Sequence, residues 1–225
     1  MRRMATRLSP PQRARERERE LVRVTRALFD ERGMLDAPVE DIARAAGIAR
    51  GLIYRSFSSK EELFMLAVTD YLAELAPALE AATAGDGDPV LRLARATEAY
   101  ARYCLRYPAF LDASMSLMHR PARELAEIVS ESVWLRLGQG MARCLEHIAA
   151  ILRDGAEAGV FAVDDADYMA NVLWTQGLGV MHLARIRVGV RSLAPGIPAL
   201  FAVEPERIVR TCVQSAFANV RTERG

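Results

Sequence analysis

The sequence predicts an all-α protein of nine or ten helices, and three observations predict it. Apolar residues recur three and four places apart along nearly the whole chain, the period of a helix face. Glycine and proline punctuate those runs at intervals that suit helix ends, as at Gly33, Gly85 to Pro89, Pro108, Pro121 and Gly159. No alternating strand pattern competes with them, and no internal repeat is present.

Ser9-Pro10 reads as the cap and first position of the first helix. Arg13 to Glu20 then alternates Arg and Glu, a solvated face, and the apolar side begins with Leu21, Val22, Val24, Leu28 and Phe29. Gly33 ends this helix. The next starts at Asp36 or Ala37, since Pro38 is tolerated only in a first turn. Ile42, Ala43 and Ala46 share one face of it, and Gly47 supplies a residue free to turn left-handed. Ile48, Ile53 and Phe57 form a second short apolar set, so two short helices meet at a tight turn, a helix-turn-helix. Its second helix shows Arg50, Leu52, Tyr54 and Arg55 on the free side. Ser59-x-x-Glu62 is a capping box that opens a third helix, with Lys60 beside N–H groups that favour a phosphate.

The helix from Ser59 is long, with Leu63, Ala67, Tyr71 and Leu75 in one row, and Pro77 is expected to kink or end it. Further helices follow from Asp88 to Tyr107, Ala109 to His119, Pro121 through Ile128, and about Glu131 to Ala158. A helix from Ala166 to about Val188 is apolar almost all round, which means burial on two sides. Gly189 to Pro205, with Pro195, Pro198 and Pro205, reads as a loop, and a last helix runs from about Pro205 to Val220.

Residues 39 to 63 read V-E-D-I-A-R-A-A-G-I-A-R-G-L-I-Y-R-S-F-S-S-K-E-E-L. This stretch resembles, without a gap, the signature of the tetracycline-repressor (TetR-like) family of bacterial transcriptional regulators. The resemblance covers about the first third of the chain and implies a DNA-binding head, residues 1–66, on a helical effector-binding and dimerisation body, residues 67–225. Three departures stand out: Ala49 replaces a capping Ser, Pro38 replaces a capping Thr, and Leu52 replaces a small or hydroxylated residue. The first two lose hydroxyl contacts, and Leu52 suits a thymine methyl. A double-stranded operator read by a homodimer is the implied partner. Arg50 and Arg55 are the base-reading donors, Tyr54, Ser56 and Lys60 the phosphate contacts, and Arg44 reaches the backbone. Gly51 allows close approach. The resemblance offers two readings of the N-terminal stretch with Arg2, Arg3 and Arg7: an arm that enters a minor groove, or a plain floppy terminus.

The charge agrees: residues 1–66 hold 14 Lys/Arg and 10 Asp/Glu, a net of +4, against a total of +1, so the remainder carries −3. Lys60 is the one lysine. Cys104, Cys144 and Cys212 form no CxxC pair and read as buried free thiols, with a redox sensor as the alternative. The N-terminus is Arg-rich with no apolar signal segment, and the most apolar stretch, Tyr168 to Ala184, is broken by Asn171, Gln176 and His182. A cytoplasmic protein without a membrane partner is expected.

The last two helices are the expected dimer interface. An effector pocket is expected in the body, for a hydrophobic or aromatic small molecule. Its candidates are Tyr103, Tyr107, Phe110, Met118 and Met141, with Cys144, His147, Trp174 and Met181. No cofactor is called for, and His119, His147 and His182, 28 and 35 places apart, do not have metal-ligand spacing. An enzyme using Cys144 and His147, three apart on one helix face, lacks an acid to orient the histidine and any oxyanion motif. A helical interaction module that kept the head but lost DNA binding is the remaining alternative.

Overall fold

The computed structural model describes residues 9–33, 37–85, 87–119 and 121–221. Within them are ten helices: α1 (Pro10–Arg32), α2 (Val39–Ala45), α3 (Arg50–Ser56), α4 (Lys60–Thr83), α5 (Pro89–Arg106), α6 (Pro108–Met118), α7 (Ala122–Ile128), α8 (Glu131–Glu157), α9 (Ala166–Ile186) and α10 (Pro205–Val220). Two strands, β1 (Val188–Ala194) and β2 (Ile197–Ala202), stand between α9 and α10. The expected helical class holds. The arm with Arg2, Arg3 and Arg7, and the helix start at Asp36, lie outside the described residues.

The organising element is α4. It packs on α1 at one side and on α5, α6 and α8 at the others. Its rows Leu63, Ala67, Tyr71 and Leu75 are fully buried, and the same apolar core runs from Leu21 and Phe29 of α1 through Tyr71 to Tyr103 and Cys104 of α5. A second cluster around Leu93, Ile151, Leu152, Phe161 and Val220 closes the far end.

Of the two outcomes expected at Pro77, an end to α4 does not occur, for the helix continues to Thr83. An interior proline loses its N–H bond to the carbonyl four residues back and crowds that carbonyl, at a cost of about 3 kcal/mol. Six further helical residues, with Leu79 buried among them, hold the geometry. The stretch after Gly189 is a hairpin and not a loop. Val188 pairs with Ala202, Gly189 with Phe201, Val190 with Leu200, and Arg191 with Ala199, ahead of a register shift near the turn. Pro195-Gly196 turns the chain, with Gly196 at φ 78°. The Phe201 ring lies across Gly189, where an added Cβ would come within 2.3 Å of it. Arg187, left-handed at φ 60°, ends α9, and its carbonyl accepts from the Val203 N–H to close the hairpin base.

Candidate nucleic-acid interface

The helix-turn-helix is built as its sequence dictates. Ile42 and Ala43 of α2 and Ile53 of α3 are buried, as is Phe57, so the two helices are locked on one apolar seam. Between them Gly47 takes φ 65°, a left-handed value that a side chain resists. The Ile48 N–H reaches back to the Ala43 carbonyl at 3.0 Å. Pro38 and Ala49 occupy the N-cap positions of α2 and α3 and offer no side-chain cap. Pro38 therefore precedes its helix instead of sitting in the first turn.

The opposite face is open and polar. Arg50, Gly51, Tyr54, Arg55 and Ser56 are exposed, Leu52 is half-buried, and Lys60 is exposed at the first position of α4. No neighbour lies within 4 Å of the place a Cβ would take at Gly51, so packing does not demand the glycine. Arg50 is engaged: its guanidinium is 2.7 Å from Glu40 and lies 5.5 Å from the Tyr54 ring centre. Tyr54 first and Glu40 second raise its pKa above the ordinary arginine value. Arg44 pairs with Asp41 at 2.6 Å, and Asp41 also meets Arg32 at 3.2 Å. Arg55 and Lys60 have no ion pair among the described residues. The Ser56 hydroxyl donates to the Leu52 carbonyl at 2.9 Å, so its proton is turned into the helix. A row of exposed guanidinium and ammonium donors along one short helix and the next N-terminus is an arrangement for phosphates and base edges.

Two polar clusters tie this head to the rest. Glu62, 4% exposed, accepts from the Ser58 N–H and from both the hydroxyl and the N–H of Ser130, the cap residue of α8. Burial opposes its charge, but the donors from Ser130 and Ser58 outweigh that and hold its pKa below the usual carboxylate value. Ser59 accepts from the Glu62 N–H at 3.1 Å, half of the expected capping box. The returning bond goes to Ser58 in place of Ser59, and the carboxylate's second oxygen reaches the body. The other cluster centres on Arg26 of α1, which bonds Asp70 and Glu74 of α4. Tyr71 donates to Asp30 at 2.6 Å, and Tyr107 donates to Glu74 at 2.6 Å.

The expected pocket residues are dispersed. Tyr103, Tyr107 and Phe110 pack with Tyr71, ring centres 4.8 to 5.8 Å apart, into an aromatic cluster beneath Arg26. Cys144 turns its thiol to the Leu72 carbonyl, and His147 lines a separate cleft with Ala73 and Pro77. Met181 lies by Cys104 and Leu111 at another. Met118, Met141 and Trp174 do come together, in a cleft of about 310 Å³ with Trp134, Leu137, Leu178 and Ser114. On its other side Trp174 walls a cavity of about 40 Å³ shared with Tyr100 and Cys212. Sequence reasoning missed Glu40, Trp134 and Ser130. Trp134, Leu137 and Met141 share a helix face by their spacing, a usable signal. Nothing in the spacing of Glu40 and Arg50, or of Glu62 and Ser130, announces contact.

An apolar seam that buries one side of two short helices and leaves a cationic face open is the architecture of a helix-turn-helix DNA-binding segment. Residues 21–66 match the family profile of bacterial regulatory proteins, tetR family. The chain is 38% identical over 72 residues to the HTH-type transcriptional regulator BetI of Stenotrophomonas maltophilia, covering 32% of this chain and 37% of that protein. It is 29% identical over 118 residues to the HTH-type transcriptional regulator HbdR of Aromatoleum sp., covering 52% of this chain and 50% of that protein. The matches thus span half or less of these relatives. In fold the likeness extends over nearly the whole chain. The TetR family transcriptional regulator PfmR of Thermus thermophilus superposes with a TM-score of 0.60 at 23% identity, over 97% of this chain and 100% of that one. Among the described residues no helix is long and apolar enough to cross a membrane.

Proposed function

We propose that the protein is a ligand-responsive transcriptional repressor that binds a palindromic operator as a homodimer, with residues 1–66 as the DNA-binding head and 67–225 as the body. The observation that carries this reading is the open face of α3, where Arg50, Tyr54 and Arg55 stand exposed over the buried Ile53. Arg50 and Arg55 read base edges, Leu52 meets an apolar base group, and Arg44, Tyr54, Ser56 and Lys60 hold phosphates, with Gly51 at close approach. Each bidentate arginine contact contributes about 1–3 kcal/mol of discrimination. The protein acts by binding and not by catalysis, and works in the cytoplasm.

The dimer forms through α9 and α10. In support, α9 leaves Tyr168, Thr175, Gly179, Leu183 and Ile186 exposed along one strip. From α10 comes the flank of Gln214 and Ala218, because its rows Ile208, Cys212, Ala216 and Val220 are buried within the subunit. The effector occupies the cleft of about 310 Å³ beside Met118, Met141 and Trp174, a volume in the range of about 300–1,000 Å³ that small molecules occupy. Ser114, whose buried hydroxyl has no partner, supplies its polar contact. The cavity by Tyr100 and Cys212, at about 40 Å³, is too small for such a molecule. Val68 of α4 lines the effector cleft, so a ligand there bears on the helix that carries Glu62 and Lys60.

Selection from a random duplex library, followed by titration of the selected site, tests this. Arg50→Ala with Arg55→Ala is expected to weaken specific binding at least ~30-fold, the loss of two base contacts. Lys60→Ala is expected to weaken all duplexes alike and to reduce the salt slope by about one. A selected site bound equally well by the double variant would remove the assignment.

A further inference from the structure

The hairpin between α9 and α10 has one apolar face with nothing over it among the described residues. By the alternation of a strand, Val188, Val190 and Ser192 share that face with Ala202, Leu200 and Pro198 across the ladder. Val190 is 68% and Leu200 71% exposed. The other face carries Phe201, which packs on the core of the body, and Arg191, the one charged residue in either strand. Leu193 and Ile197, also exposed, stand at the tip. A two-stranded sheet alone is marginal in water, and this one meets its own body only near its base.

We propose that this face is covered by a second copy of the same chain, the hairpin of each subunit extending the dimer contact of α9 onto its partner. The inference rests on the dimeric reading above. Three observations select this occupant. First, the apolar face continues an exposed strip: α9 ends on Leu183 and Ile186, both exposed, and Val188 follows directly. Second, the amount of surface is that of an extension. An average large aliphatic side chain offers about 100 Å², so Val188, Val190, Leu193, Ile197 and Leu200, at their exposures, offer roughly 300 Å² per subunit. A pair of such patches, roughly 600 Å², is short of the ~1,000 Å² a stable interface needs alone, and completes one when added to the strip on α9. Third, a two-fold contact sets a patch against its own copy, so an apolar patch is complementary to itself, while a charge near the axis meets like charge. This face bears none, Arg191 being turned to the other side.

Sedimentation of the full chain across a dilution series tests the proposal. Val190→Glu with Leu200→Glu is expected to raise the dimer dissociation midpoint at least fivefold, with an unchanged far-UV spectrum and melting temperature of the monomer. Gly179→Arg, in the middle of the α9 strip, serves as the reference. No neighbour lies within 4 Å of the Gly179 Cβ position, so the larger residue disturbs no packing inside the subunit. A hairpin variant within fivefold of wild type, beside a Gly179→Arg protein that dissociates, overturns the hairpin proposal and leaves the dimer standing. A wild-type chain that stays monomeric at every concentration overturns both. Should the glutamate pair fail to fold, Val190→Ser with Leu200→Ser decides, with a threefold rise expected and no rise overturning the proposal.

Discussion

The guanidinium of Arg26 lies 4.2 Å above the ring of Tyr71, so a cation from the first helix is seated on an aromatic of the fourth. Asp70 and Glu74 bracket it, and its side chain is only 15% exposed. Burial alone would disfavour the charge, but the two carboxylates outweigh burial and push the pKa above the ordinary arginine value. The head is thereby fixed on α4 by a group that is planar, charged and shared between two acids.

Arg26→Ala leaves those acids and the Tyr71 face without their cation, and is expected to lower stability by about 2–3 kcal/mol. The partners are partly exposed, which keeps the loss below that of a fully buried pair. Arg26→Lys is expected to recover little, because an ammonium cannot fork to Asp70 and Glu74 while stacking on the ring. Denaturant unfolding of the three proteins checks this, and full rescue by lysine would show that point charge suffices.

Glu62 sets an acid limit on the head. Its pKa is lowered in the folded protein from the ordinary 4.5, so its ionised form binds more favourably folded than unfolded. That contribution is complete above the unfolded value and fades as pH falls through the folded one. Ser130→Ala removes one donor and is expected to cost about 1–2 kcal/mol at pH 7. The gap to wild type is expected to narrow once pH drops below 4.5. Melting curves from pH 7 to 3 measure it, and a gap independent of pH would detach the effect from the carboxylate.

Local rules reach some of this molecule and not the rest. The seam of Ile42, Ile53 and Phe57, the turn at Gly47 and the cap at Ser59 are set by residues within a few places of one another, and they are where the sequence puts them. The hairpin escaped because Pro195, Pro198 and Pro205 signal loop, although Val188-x-Val190 and the Pro195-Gly196 pair are strand and turn signals in their own right. The partition of Tyr103, Tyr107 and Phe110 to an aromatic cluster and of Met118, Met141 and Trp174 to a cleft depends on which helix faces which. Periodicity gives the face of a helix but not its neighbour.

The three thiols are buried and free. Burial pushes Cys144 up to about 12 and Cys212 to about 11, and raises Cys104 as well. A thiol reacts as its thiolate, so at pH 7.5 the folded protein is expected to resist iodoacetamide and to take up label only on unfolding. Mass spectrometry before and after denaturation reads this, and fast native labelling of any one of them would restore the redox alternative.

Trp134 and Trp174 are the chain's two tryptophans, and both line the proposed effector cleft. An aromatic effector seated there changes the surroundings of both indoles. Quenching or a spectral shift of the intrinsic emission is therefore expected with any ligand that releases DNA. Met141→Glu, which puts a charge into the cleft, should weaken that response at least tenfold while leaving operator binding intact. A ligand that dissociates the operator complex without touching the emission would place the effector elsewhere.

Glu40 and Arg50 form an exposed pair 2.7 Å apart on the face that is to meet DNA. Such a pair contributes only about 0–1 kcal/mol, so Arg50 can leave it for a guanine at little cost. The carboxylate left behind faces the phosphates, however, and it opposes binding at every sequence. Glu40→Gln keeps the size of the side chain and removes that charge. It is expected to tighten specific and non-specific binding together, by about threefold to tenfold at low salt, with the gain shrinking as added salt screens the repulsion. Because the gain does not depend on the base read, the ratio of specific to non-specific affinity should stay within about twofold. Anisotropy titrations on selected and scrambled duplexes at two salt concentrations separate these effects. Unchanged affinity for both would mean that Glu40 is far from the duplex, and that Arg50 does not lie in the groove.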